Sequence, residues 1–247
     1  FNPCVEQQLE DAELCCLVET YPAKHDDYDD YLKTLKIAYL YGKTVTLINT
    51  HWPETNAIML KNRRIGLSQS GVIQAFNKFG RRELLNWCDN AYDHIRDLDK
   101  EYSNWLCVPR SIRMTSIKPS GTVSLLNGST PGIHFPENEY YIRRIRFGKD
   151  SDLLDNLQEA GYTIEDDEYS PNTVCVEFPV HEPYYVKGKK DVSLWEQLEI
   201  AAQYQHYWAD NSVSITVTFK PEEAPNIKEA LEMYETRLKA VSFLKYE

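Results

Sequence analysis

Apolar and polar positions alternate along the chain with two different periods. The stretch DDYDDYLKTLKIAYLYGK, from Asp26, carries Asp in its first turns, Leu32, Leu35, Ile37, Ala38 and Leu40 on an apolar side, and Gly42 near its end, which predicts a helix. GVIQAFNKFG predicts a helix from about Ser70 to Lys78, ended by Gly80. In RRELLNWCDNAYDHIRDLDKEYSNWL, residues Leu84, Leu85, Cys88, Tyr92, Ile95 and Leu98 recur at helical spacing and predict one long amphipathic helix. SDLLDNLQEAG reads as a helix capped by Ser151 or Asp152 and closed by Gly161; SLWEQLEIAAQYQHYWAD and PNIKEALEMYETRL read as two more, the second with Pro225 near its first turn. Near the amino terminus, DAELCCLVE is the first segment with any helical pattern. Period-two segments, YYIRRIRF, NTVCVEFPV and SVSITVTF, predict strands. Between them lies IKPSGTVSLLNGSTPGIHFP, dense in Pro, Gly, Ser and Thr and therefore rich in turns. Strands alternating with helices indicate an α/β fold. With no internal repeat and no linker composition, one domain over 1–247 is expected.

Composition narrows the class of function. Of 247 residues, 42% are hydrophobic and 26% charged, ordinary for a globular protein. The net charge of −11 argues against broad nucleic-acid binding, which needs a basic surface, but leaves room for a mononucleotide held by a local positive field. No apolar run approaches the ~18 residues of a spanning helix. The six cysteines, Cys4, Cys15, Cys16, Cys88, Cys107 and Cys175, form no C-x-x-C pair and have no His at zinc spacing, so no metal site and a reduced, cytoplasmic setting are expected. Cys88, Cys107 and Cys175 fall in apolar-periodic or alternating stretches and read as buried small hydrophobes. Arg143, Arg144 and Arg146 split between the faces of a strand and read as solvated or ion-paired, the tyrosine pairs at 140–141 and 184–185 as packing, and the acidic run at 165–168 as a solvated turn.

Chemistry concentrates in two places. In FNPCVE, an extended segment would point Asn2, Cys4 and Glu6 to one side and Pro3 and Val5 to the other. An amide can orient a hydroxyl, a carboxylate can take a proton, and a thiol can act as nucleophile, redox partner or radical carrier. By itself the pattern also fits a loop that happens to hold a cysteine. The second place is Pro119-Ser120-Gly121-Thr122-Val123. Opening a short helix, it offers unpaired N–H groups, two hydroxyls and a glycine to an anion, although a turn with an ordinary N-cap explains it equally.

The two motifs together resemble the ribonucleotide reductases, most closely the adenosylcobalamin-dependent class. FNPCVEQQLEDAELCCLVE resembles their active-site loop, with the pattern N-x-C-x-E, and SIKPSGTVSLLNGSTPGIHFP resembles their substrate-phosphate loop. NRRIGLSQSG and NSVSITVTF resemble further blocks, in family order. The resemblance implies the second half of a ten-stranded α/β barrel, with the active-site finger loop and a reducing cysteine in 1–22 and the phosphate-binding region in 115–136. It implies that Cys4 becomes a thiyl radical, Glu6 is the base, Asn2 orients a substrate hydroxyl and Cys15 is one of two reducing thiols, while Cys16 has no role and is core. Pro3, Val5, Pro119, Ser120, Gly121, Thr122 and Val123 are implied to bind substrate.

The activity so implied is reduction of ribonucleotides, leaning to triphosphates, with adenosylcobalamin as cofactor and a thioredoxin-like reductant as partner. The equivalent region of another reductase class acting on diphosphates, or a non-catalytic nucleotide-binding fragment, are the alternatives. A start at Phe1, with no partner in sight for Cys15, leads to the expectation of a partial chain, inactive without the N-terminal part of the enzyme.

Overall fold

Residues 1–246 are described by the computed structural model. Strand β1, Leu17–Thr20, runs parallel to β2, Gly66–Gln69, with Leu17 opposite Gly66 and Thr20 opposite Gln69. The pairing continues beyond these strands. Leu67 bridges Thr115 in parallel, Ile117 bridges Val213 in parallel, and β6, Thr216–Phe219, lies parallel to β7, Ser242–Lys245. Five successive segments therefore lie side by side in chain order, all pointing one way. Parallel neighbours need long crossovers, and helices supply them.

Helices α1, Tyr28–Val45, and α2, Pro53–Asn62, join β1 to β2. Asp27 caps α1 by accepting from Asp30 N–H at 2.9 Å. Helix α3, Val72–Phe79, starts from Gly71 at φ +70° and stops at Gly80; α4, Arg81–Trp105, follows at once and leads to the 114–117 segment. The connection from there to β6 is the longest. It contains the one-turn helix α5, Val123–Leu126, the strand β3, Tyr140–Gly148, the helix α6, Leu154–Glu159, the strands β4, Ile164–Asp166, and β5, Thr173–His181, and the helix α7, Leu194–Tyr207. Strands β3, β5 and β4 form a separate antiparallel sheet with β5 in the middle. Helix α8, Ile227–Tyr234, connects β6 to β7.

The helices bury Tyr31, Leu35 and Tyr39 of α1, Leu84, Cys88, Ala91 and Ile95 of α4, and Leu198, Ala201 and Tyr204 of α7 in one continuous core against the parallel strands. All four residues of β2 are buried, and its two polar residues, Ser68 and Gln69, point to opposite faces, so each face of the strand carries one buried polar side chain. Gln69 takes a hydrogen bond from Tyr204 at 3.1 Å, and Ser68 gives one to Glu19 at 3.2 Å.

Several expectations need correction. DAELCCLVE is not helical; its last residues are β1, because pairing with β2 satisfies the backbone that a lone helix turn would leave open. The acidic run at 165–168 is largely exposed, as expected, but it is not simply a turn. Its first residues lie in β4, and Glu165 and Asp167 pair with Arg144 and Arg146 at 2.7 and 3.0 Å. Cys107 is exposed, since it sits past the end of α4 with φ +53° rather than on its apolar face. Helix α6 is shorter than expected and starts from Leu153 without a side-chain cap. Helix α2 and strand β7 went unforeseen.

Candidate active site

The amino-terminal loop is not extended. Val5 N–H donates to Asn2 C=O at 2.9 Å, Asn2 N–H donates to Gln7 C=O at 3.1 Å, and Val5 adopts φ +65°. A β-branched residue in the left-handed region is strained, and here the strain closes a tight turn around Cys4. The i, i+2, i+4 argument therefore fails as a mechanism, although Asn2 and Glu6 still meet. Asn2 Nδ2 donates to Glu6 Oε1 at 2.6 Å, and Asn2 Oδ1 accepts from Gln7 N–H at 3.0 Å. A turn, not a strand, brings amide and carboxylate together.

Glu6 is fully buried, and its Oε2 has no hydrogen-bond partner among the described residues. Gln7 behind it is also buried, with both side-chain polar atoms unpartnered. An unpaired buried carboxylate oxygen is costly, so it marks a position where a hydroxyl donor belongs. Cys4 is half-buried and free; Pro3 is exposed and Val5 half-buried.

A residue that sequence reasoning passed over completes the cluster. Lys118 Nζ lies 3.3 Å from Cys4 Sγ and 3.3 Å from Glu6 Oε1. Burial alone would lower its pKa, but the Glu6 charge and the Cys4 contact outweigh that, and the net shift is upward. The ammonium is thus held charged between carboxylate and sulfur. The available signal was its place in Ile117-Lys118-Pro119-Ser120, where it directly precedes the suspected anion loop.

Cys15 is exposed at its surface, yet partial desolvation first and then the Glu6 charge push its thiol pKa up, against the nearby Asn2 amide and the Lys118 charge, with Cys4 adding to the rise. Cys16, next to it, points into the fold, and burial pushes its thiol up to about 11.

The loop at 119–123 departs from the parallel row just past Lys118. Ser120 is buried, while Gly121, Thr122 and Val123 are exposed. A Cβ on Gly121 would meet only Pro119 O, at 4.0 Å, so nothing within the chain fills the space before it. Helix α5 is a single turn, so its dipole is weak; Lys118 brings the full charge. The loop's far side is tied down by Gly132, whose N–H donates to Ser70 Oγ at 2.9 Å, and by His134, whose Nε2 accepts from Thr216 N–H at 3.1 Å. A Cβ on Gly132, at φ +52°, would lie 2.9 Å from Lys118 O, which fixes a glycine there and packs the two flanks together.

Asn2, Cys4, Glu6 and Lys118 are thus brought together, with 119–123 continuing from Lys118, and the exposed Cys15 lies near enough to feel their charges. A hollow of about 470 Å³ beside Glu199, His206 and Arg237 is lined by none of these residues. Among the described residues no group of three or more His, Cys, Asp or Glu side chains is placed to hold a metal, and no helix is long and apolar enough to cross a membrane.

No family model matches the chain. Over 244 residues, 98% of its length, it is 53% identical to a probable adenosylcobalamin-dependent ribonucleoside-triphosphate reductase of Dictyostelium discoideum. It is 50% identical over 98% of its length to the adenosylcobalamin-dependent ribonucleoside-triphosphate reductase of Euglena gracilis. A crystal structure of a B12-dependent, class II ribonucleotide reductase superposes on 99% of the chain with a TM-score of 0.90 and 32% identity. In sequence and fold the chain matches a portion of the adenosylcobalamin-dependent ribonucleotide reductases. The match to these reductases is partial in extent: the chain spans 32% and 34% of the two relatives and 38% of the crystallised chain. That share agrees with the five parallel segments seen here being part of the reductase α/β barrel. The α subunit of an Actinobacillus ureae class Id reductase shares the fold, at TM-score 0.69 and 17% identity.

Proposed function

We propose that this stretch forms the radical-thiol and phosphate-binding part of a ribonucleoside-triphosphate reductase. The observation that carries the reading is the cluster of Asn2, Cys4, Glu6 and Lys118, closed by contacts of 2.6 to 3.3 Å. Thiol, base, orienting amide and a fixed positive charge meet there, one strand end away from an anion-accepting loop.

Each residue has a task in this reading. Cys4, as a thiyl, takes the 3′-hydrogen of the ribose. Glu6 accepts the 3′-hydroxyl proton at Oε2, the oxygen without a partner. Asn2 holds Oε1 and so fixes the direction of Oε2. Lys118 keeps the carboxylate charged until the proton arrives and balances charge at the sulfur. The 2′-hydroxyl leaves as water. Two thiols supply the two electrons and end as a disulfide; Cys15 is one, and we assign its partner to reductase sequence outside the matched stretch. Ser120, Gly121, Thr122 and Val123, with Pro119 stiffening the turn, hold the phosphates, and Pro3 and Val5 border the sugar.

Adenosylcobalamin, after which the relatives are named, supplies a carbon-centred radical when bound. The residues present fit that role at one point: Cys4 is a free, half-buried thiol. A thioredoxin-like reductant would then restore the dithiol, in a cytoplasmic setting.

Replacing Cys4 by Ser in a full-length reductase carrying this stretch tests the reading. Deoxynucleotide formation should vanish while ribonucleotide binding stays within about threefold of wild type. Surviving turnover would remove Cys4 from the mechanism.

A further inference from the structure

Glu19 has no part in the chemistry above, yet it stands where the loop's two flanks meet. It lies on β1, half-buried. Its Oε1 accepts from Ser70 Oγ at 2.5 Å and from Ser68 Oγ at 3.2 Å. Each serine oxygen accepts in turn from a backbone N–H of the loop. Ser68 Oγ takes Lys118 N–H at 2.9 Å, and Ser70 Oγ takes Gly132 N–H at 2.9 Å. Ser70 Oγ also touches Ser120 Oγ at 3.1 Å, inside the loop. One carboxyl oxygen therefore orients two hydroxyls, and those hydroxyls fix where the 119–131 loop leaves and where it returns.

We propose that Glu19 is a positioning residue for the phosphate loop, setting both of its ends through Ser68 and Ser70. The inference rests on the phosphate-binding reading of that loop. It adds a specific consequence, because Glu19 is a carboxyl facing a site meant for an anion. Burial pushes its pKa up, against the Ser70, Ser68 and Ser120 hydrogen bonds and the Lys118 charge, to about 7. The other titratable groups facing it are Lys118, Tyr21 two positions on in the chain, and Tyr31 from α1. All three are raised, so among these groups Glu19 alone changes charge near neutrality. Neutral Glu19 accepts both serine bonds without repelling phosphate; ionised Glu19 makes the same bonds but adds a negative charge behind the loop.

The test uses a full-length reductase carrying this stretch, with CTP and cytidine as the probes. Dissociation constants are measured from pH 6 to pH 8 for wild type and Glu19→Gln, in which an amide oxygen keeps both serine bonds. The ratio of the two constants cancels ionisation of CTP itself. It should be near one at pH 6 and favour Glu19→Gln by about tenfold at pH 8, because only about a tenth of a pKa-7 carboxyl is then neutral. The effect should appear in KM and leave kcat unchanged. Glu19→Ala, which orients neither serine, should weaken CTP at both pH values and leave cytidine unaffected. Unchanged CTP affinity in Glu19→Ala, while wild type still prefers CTP to cytidine, overturns the positioning role of Glu19; a ratio that stays flat with pH overturns its charge effect on the loop. No preference for CTP over cytidine in wild type overturns the phosphate reading, and the Glu19 role with it.

Discussion

The ammonium of Lys118 stands 3.3 Å from the sulfur of Cys4, although 113 residues separate them in the chain. It links the amino-terminal turn to the start of the phosphate loop, since the next residue is Pro119. A charge-assisted contact of this kind is worth about 1.5–3 kcal/mol. Lys118→Met should therefore lower kcat/KM of a full-length reductase carrying this stretch by roughly tenfold to a hundredfold. Lys118→Arg, which keeps the charge with different geometry, should fall between. Steady-state rates decide it, and a Lys118→Met enzyme with wild-type rates would show the contact to be incidental.

The 2.6 Å bond from Asn2 to Glu6 separates two roles. Glu6→Gln removes the proton acceptor but keeps an oxygen for Asn2. It should reduce turnover by about 10²–10⁴-fold with nucleotide affinity little changed. Asn2→Ala leaves the base in place but frees its direction, so its loss should be smaller. A loss in Asn2→Ala larger than in Glu6→Gln, or additive with it in the double variant, would mean that Asn2 acts on substrate directly and not only through Glu6.

Glu6 also leaves a mark on Cys15. Burial raises the Cys15 pKa first, and the Glu6 charge adds to it. Removing that charge in Glu6→Gln makes the thiolate easier to form. At pH 8, alkylation of Cys15 by iodoacetamide should then run roughly two- to fivefold faster than in wild type. Peptide mapping by mass spectrometry reads the rate, with exposed Cys107 as internal reference and Cys88, whose pKa burial pushes up to about 12, as the protected control. A slower Cys15 in the variant reverses the sign and refutes the coupling.

The sequence disclosed this site unevenly, for physical reasons. Helices α1, α4 and α7 were legible because each buries one periodic face against a single core. The N-x-C-x-E pattern was legible because it is local. Its geometry was not: a strand was expected, and a turn with Val5 at φ +65° does the same work. Glu19 was invisible because its meaning is made by parallel pairing, and Lys118, although it directly precedes the anion loop, meets Cys4 and Glu6 only once the chain is folded. Glu19 lies opposite Ser68 only once β1 and β2 are in register. Strand β1 itself was hidden, since four residues reading LVET carry no period of their own and take their shape from the neighbour.

A last prediction concerns what holds the strand leading to Lys118 in place. Lys43 of α1 and Asp99 of α4 form a buried pair at 2.7 Å. Asp99 also accepts from Tyr39 OH at 2.8 Å and from Ser111 N–H at 3.1 Å, while Lys43 donates to Pro109 C=O at 3.1 Å and to Ser111 Oγ at 3.0 Å. The pair thus clamps the 109–111 loop, from which the 114–117 segment runs directly to Lys118. Lys43→Met leaves a buried carboxylate without its cation, and Asp99→Leu leaves a buried ammonium without its anion. Either change should cost about 3–5 kcal/mol. The double variant leaves neither charge uncompensated and should cost clearly less than the two single losses together, with Tyr39 and Ser111 N–H losing an acceptor as the residual penalty. Urea unfolding of the three variants measures this coupling. Additive losses would show that each side chain stabilises the clamp through its separate contacts and not through the charge pair.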